Sequence, residues 1–163
     1  MLKEWIRRPK EIQSLLNPAF CGRILYTMVA EYQKKTNHAL PFPLIYLVLP
    51  LVLPGQIRSV ISSRTQLMNW VQTNQKVLRN FGKQARDLVE ITNEALELLL
   101  QTGFIKITDM GEIERSVTTT ALSKTCFTDS EVKECLLKAE NVARWFVAAG
   151  KVETIYYCLG VRP

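Results

Sequence analysis

A mostly helical α+β fold is what this sequence predicts. Apolar residues recur at helical spacing over long segments, as in Phe20, Ile24, Met28 and Tyr32. A short β-branched run, "FIKIT", is followed by the turn Asp109-Met110-Gly111 and a return segment, "EIERSV". An apolar share of 47% with 22% charged residues is that of a chain able to bury a core, and 163 residues suit one domain. The expected organisation is a single domain over 1–163. It comprises a lead-in (1–10), a mainly helical part (12–90), a helix with a wing (91–118) and a C-terminal helix and strand (128–163).

Trp5 is a candidate anchor within the lead-in. The first helix is expected from about Ile12 to Lys35, with Asn17-Pro18 marking a cap and first turn. "KKTNHALP" ends it with turn formers. The most apolar stretch of the chain follows, "PFPLIYLVLPLVLPG", from Pro41 to Gly55. A membrane-spanning helix needs about 20 apolar residues, and Phe42 to Leu53 supplies twelve. Pro50 argues against a central strand, because it cannot donate to a ladder. The expectation is one or two short helical turns from near Pro43, kinked at Pro50 and buried on nearly all sides, within the domain or under a partner. Phe42, Leu44, Leu47 and Leu51 are the candidate partner-binding residues.

Further on, Leu67, Val71, Leu78, Phe81, Ala85 and Leu88 give apolar helical spacing, with Gly82 near a junction between helices. Thr92 is a candidate N-cap with Glu94 in the first turn, and Gly103 is placed to end that helix. A short helix, a turn, a second helix and a β-hairpin form the sequence image of a winged-helix-like domain with a small hairpin wing. Thr128 and Glu131 fit a capping box, so a helix is expected from near Asp129 until Gly150. "ETIYYCLG" is expected to be a last strand.

Net charge is +6, but its distribution says more. Between Tyr32 and Asp87 there is no acidic residue, whereas eight basic ones occur: Lys34, Lys35, Arg58, Arg64, Lys76, Arg79, Lys83 and Arg86. Such a one-signed middle can attract nucleic acid, anionic lipid or an acidic protein face, or can simply be a solvated surface. If they lie on one helix, Lys76, Arg79, Lys83 and Arg86 are spaced to share a face and track phosphates, which makes them the candidate DNA-binding residues. The second helix of the winged-helix pattern carries Asn93, Glu94, Glu97 and Gln101 and neither Arg nor Lys, which repels a phosphate backbone. This weighs against an ordinary repressor, although a free-standing winged-helix DNA-binding transcriptional regulator remains the alternative.

Catalytic chemistry finds little footing. His38 is the single histidine, and no GxxxxGK[ST] or GxGxxG occurs. Asp109 with Glu131 and Lys133 has the residue types of a metal-dependent nuclease, but Glu131 and Lys133 fall in one helical turn facing different directions. Cys21, Cys126, Cys135 and Cys158 form no CxxC pair and read as reduced core thiols. The expectation is therefore no enzyme, no metal, no cofactor and no membrane span, in a cytoplasmic chain without a signal peptide.

"LLNPAF", "PFPLIYLVLPLVLP", "EITNEALELLLQTGFIKI" and "IYYCLGVRP", in that order, resemble the small middle component of bacterial three-component ABC-ATPase systems, of which Lamassu-type defence is an example. The resemblance covers approximately residues 5 to 163. In the family pattern "VLPLVL" usually ends in a histidine, where this chain has Pro54. The resemblance implies a non-catalytic winged-helix-like adaptor in anti-phage and anti-plasmid defence. Its partners would be an SMC/Rad50-like coiled-coil ATPase, whose heads it bridges, and an effector, often a nuclease, held until foreign DNA is sensed.

Overall fold

The computed structural model describes residues 16–116 and 129–163. The lead-in with Trp5, the expected helix start at Ile12, Cys126 and the Thr128 half of the capping box lie outside the described residues.

Helix α1, Pro18–Thr36, begins as its sequence dictates. The Asn17 side chain accepts from the Ala19 amide at 2.8 Å, and Pro18 occupies a first-turn position that needs no donor. Ile24, Leu25, Met28 and Val29 are fully buried, so α1 is the central post of the fold. It packs against α6 (Val89–Gln101), α7 (Ser130–Ala149) and the sheet. Asn37 in the left-handed conformation (φ 58°) ends it and turns the chain into β1, Leu40–Pro41.

The proline-rich stretch forms a 3₁₀ segment, Phe42–Leu47, running into α2, Val48–Val52. The expected kink at Pro50 is replaced by the change of helix type at Leu47–Val48. Pro50 then falls in the first turn of α2, where amides lack an intrahelical partner anyway, so its missing donor costs little. Every residue from Leu47 to Val52 is buried. α2 touches α1, α5 (Phe81–Asp87) and α7, and so lies at the centre of the core. No helix among the described residues is long and apolar enough to cross a membrane.

Short helices follow: α3 (Gly55–Arg58), α4 (Leu67–Thr73) and α5. The intervening loop is fastened by side chains. Trp70 Nε1 donates to Val60 O and Trp145 Nε1 to Thr65 O, each at 2.7 Å, and Lys138 Nζ donates to Ile61 O. The two indoles meet at 4.8 Å between ring centroids, joining α4 to α7.

Thr92 is not a cap. α6 starts at Val89, with Leu88 both ending α5 and preceding α6, and Thr92 lies one turn inside, fully buried. The near-continuous junction of α5 and α6 leaves no extended residue where a cap could sit; Glu90, not Glu94, occupies the first turn. Gly103 (φ 74°) ends α6 as expected.

β2 (Ile105–Ile107) and β3 (Glu112–Arg115) form the hairpin through a turn with Gly111 at φ 76°. β1 adds to β3, giving an antiparallel sheet of order β1-β3-β2 among the described residues. Pro41 fits there because β1 is an edge. Asp129 caps α7, its side chain accepting from the Glu131 and Val132 amides, and Gly150 closes that helix.

The expected last strand is instead helix α8, Val152–Leu159. Val152, Ile155, Tyr156 and Leu159 follow the i, i+3, i+4, i+7 spacing of one helical face, which overrides the strand preference of the Ile-Tyr-Tyr run. Ile155, Tyr156 and Leu159 are buried.

Candidate partner-binding surface

The four basic candidates do not lie on one helix. α4 ends at Thr73, and Asn74 Nδ2 donates to Trp70 O at 2.9 Å, spending a side-chain donor on the helix end. Lys76 and Arg79 therefore occupy turns, while Lys83 and Arg86 lie on α5. A single ridge at helical spacing is not formed. All four remain exposed and have no ion-pair partner among the described residues.

Arg58, counted in the same basic interval, is used up internally and is only 7% exposed. Its Nη1 donates to Val52 O (3.0 Å) and Leu53 O (2.8 Å), the carbonyls left open where α2 ends before Pro54. Its Nη2 reaches Glu131 at 2.8 Å and its Nε reaches Glu134 at 3.4 Å, both on α7. One guanidinium thus caps the proline-rich helix and ties it to α7. Glu131 is thereby an ion-pair partner, and Asp109 lies in the exposed hairpin turn. The nearest sequence signal for Arg58 was a lone cation four residues after Pro54.

Of the four apolar candidates, Leu44, Leu47 and Leu51 are at most 1% exposed and serve the chain's own core. In this conformation Leu51 offers a partner no surface, and Leu44 and Leu47 each show only 1% of their own. Phe42 is half-buried and meets Tyr46 edge-on at 5.8 Å between centroids. It lines a small groove of about 190 Å³ with Leu96, Leu100, Ile107 and Ile113. Leu100 and Ile107 are exposed there, and Met110 at the hairpin tip is 85% exposed.

Two larger clefts flank α5. One, about 540 Å³, lies between the 3₁₀ segment, α5, the start of α6 and the last residues of the chain, with Leu47 at its floor and Arg86 and Arg162 among its lining. The other, about 740 Å³, lies beside Arg58, bordered by Phe20, Pro54, Gln84, Asp87 and Glu131.

Two thiols, Cys21 and Cys135, are buried and held protonated by their surroundings. Burial, reinforced by the nearby Cys135 and Glu94, pushes Cys21 from 9.0 up to about 12, and burial also raises Cys135. Among the described residues no group of three or more His, Cys, Asp or Glu could hold a metal ion. His38 is exposed in the loop after α1, its main chain bonded to the Thr36 hydroxyl.

No curated protein and no solved structure matches the chain. A family model matches it over residues 5–163, nearly its whole length. The chain belongs to the family described as ABC-three component (ABC-3C) system Middle Component 3.

Proposed function

We propose that this chain is a non-catalytic, cytoplasmic adaptor of an SMC/Rad50-like ATPase complex in Lamassu-type anti-phage and anti-plasmid defence. In this reading it bridges the ATPase heads and restrains an effector nuclease until foreign DNA is sensed. Membership of a middle-component family over residues 5–163 carries the proposal, because a middle component has other components to join. Two features of the surface support it. Apolar side chains stand exposed at Leu100, Ile107 and Met110 around the hairpin, where a partner can cover them. Lys76, Arg79, Lys83 and Arg86, although not on one helix, are exposed cations available to DNA brought by the complex.

The order helix, short strand, helices, helix and hairpin, with β1 beside β3, is compatible with a winged-helix-like domain. The free-standing regulator gains little from it. α6, the helix that would read bases, carries Glu90, Glu94 and Glu97 and no basic residue. The test is co-expression with the neighbouring genes, affinity purification through this chain and mass determination of the recovered assembly. A large coiled-coil ATPase in stoichiometric amount is the expected result. A homodimer that binds DNA alone would return the regulator to first place.

A further inference from the structure

The 540 Å³ cleft beside α5 combines an apolar lining with cations at two places. Tyr46, Ala85, Val89 and Val161 contribute apolar surface, and Val89 is 40% exposed. The two phenols that border it have their hydroxyls committed elsewhere. Tyr46 Oη donates to Asn93 Oδ1 at 2.6 Å and Tyr156 Oη donates to Pro43 O. Burial raises both phenols, with Tyr46 adding a smaller effect on Tyr156, so both rings stay neutral walls at physiological pH. Arg86 and Arg162 are exposed and have no ion-pair partner among the described residues. The acidic side chains next in sequence do not line the cleft: Asp87 borders the other cleft, and Glu90 borders neither.

Charge and shape together select the occupant. We propose that this cleft docks an acidic peptide segment of a partner protein, with an aliphatic or aromatic side chain on the apolar floor and flanking carboxylates on Arg86 and Arg162. The cleft's size falls within the range of about 300–1,000 Å³ typical of binding pockets, room for a few side chains. Bidentate guanidinium–carboxylate pairing suits the two arginines. A nucleic-acid backbone fits less well, since phosphates stay hydrated and a floor of Ala85, Val89 and Val161 offers them no donors.

This inference stands on the cleft and not on the adaptor reading, and its test uses the full chain by itself. A random dodecapeptide library displayed on phage is selected against the protein. Enriched peptides are then measured by fluorescence polarisation against wild type, the Arg86→Glu/Arg162→Glu double variant and Val89→Asp, with a dodecathymidylate strand as the nucleic-acid probe. Thermal melts establish that the variants fold. The expected result is enrichment of peptides with Asp or Glu beside Leu, Phe or Trp, weakened about ten-fold or more by either variant. The proposal is overturned by no enrichment, by peptides without acids, or by binding indifferent to the variants. It is also overturned if only the thymidylate strand binds through these arginines, or if the variants abolish self-association of the chain instead. Failure here leaves the adaptor reading to the co-purification experiment.

Discussion

Arg58→Met is the substitution whose consequence the structure defines most closely. The side chain is 8% exposed and makes four contacts, two to main-chain carbonyls and two to carboxylates. The carboxylates matter less, because Glu131 and Glu134 are 60% and 41% exposed and solvent screens them; each pair is worth at most about 1 kcal/mol. The carbonyls matter more. Methionine fills much of the space but donates nothing, so Val52 O is left buried without its partner, while Leu53 O sits at the edge of the larger cleft where water can reach it. An orphaned buried acceptor costs about 1–3 kcal/mol. With a smaller loss for the second carbonyl and the ion pairs, the total is about 2–4 kcal/mol, or roughly 5–15 °C in melting temperature for a chain of this size. The assay is urea unfolding followed by circular dichroism, at low salt and at about 0.5 M salt. Because the main loss comes from carbonyls, it should persist at high salt, and Glu131→Gln alone should cost about 0.5 kcal/mol or less. A loss under about 1 kcal/mol for Arg58→Met, or one that vanishes with salt, would refute the capping argument.

The other predictions concern separate parts of the molecule. Leu47→Asp places a carboxylate at a site 1% exposed and should unfold the chain, costing about 4 kcal/mol or more; a cooperative melt near the wild-type temperature would contradict the burial of this stretch. Lys76→Glu with Arg79→Glu should weaken DNA binding by the assembled complex while leaving assembly intact, and binding unchanged across several salt concentrations would remove these residues from any DNA path. Cys21 is raised in the folded chain from 9.0 to about 12, so the stability it contributes is complete below the unfolded thiol's range and falls as pH climbs through that interval. Denaturation midpoints at about pH 7 and pH 10 should therefore diverge more for wild type than for Cys21→Ala, and equal declines would mean that other groups set the alkaline limit.

What the sequence made legible was written in local chemistry. Asn17-Pro18 favours a helix start, Gly103, Gly111 and Gly150 tolerate the positive φ that a helix end or tight turn requires, and each stands where it was expected. The hairpin was visible because the β-branched "FIKIT" segment and a glycine turn agree. Misreadings arose where local preference and tertiary packing diverge. Thr92 is a good capping residue, yet the α5–α6 junction buries it mid-helix. In "ETIYYCLG" the aromatic and β-branched types favour strand while the spacing of the apolar residues favours helix, and packing against α4 and α7 follows the spacing. β1, two residues long, is too short to carry a pattern. The break after Thr73 lacks glycine or proline, and its signal, a polar side chain folding back on the helix end, is weak in sequence. Arg58 was hidden for another reason: charge counts do not distinguish a surface cation from one that caps a helix.

The placement of the proline-rich stretch also limits where partners can act. Because Leu44, Leu47 and Leu51 face the core, the stretch has little outward surface of its own. Its outward contribution comes from Phe42 and Tyr46, four residues apart, with Tyr46 lining both the small groove and the arginine-flanked cleft. Core and surface duties are thus divided among neighbours on the same 3₁₀ segment. Substitution at Leu44, Leu47 or Leu51 confounds folding with binding, since a lost complex there can follow from a lost core. Substitution at Arg86, Val89 or Arg162 changes exposed surface while leaving α2 and its Arg58 cap in place. A variant of the second kind that melts normally but no longer engages its partner therefore locates the interface, whereas one of the first kind does not.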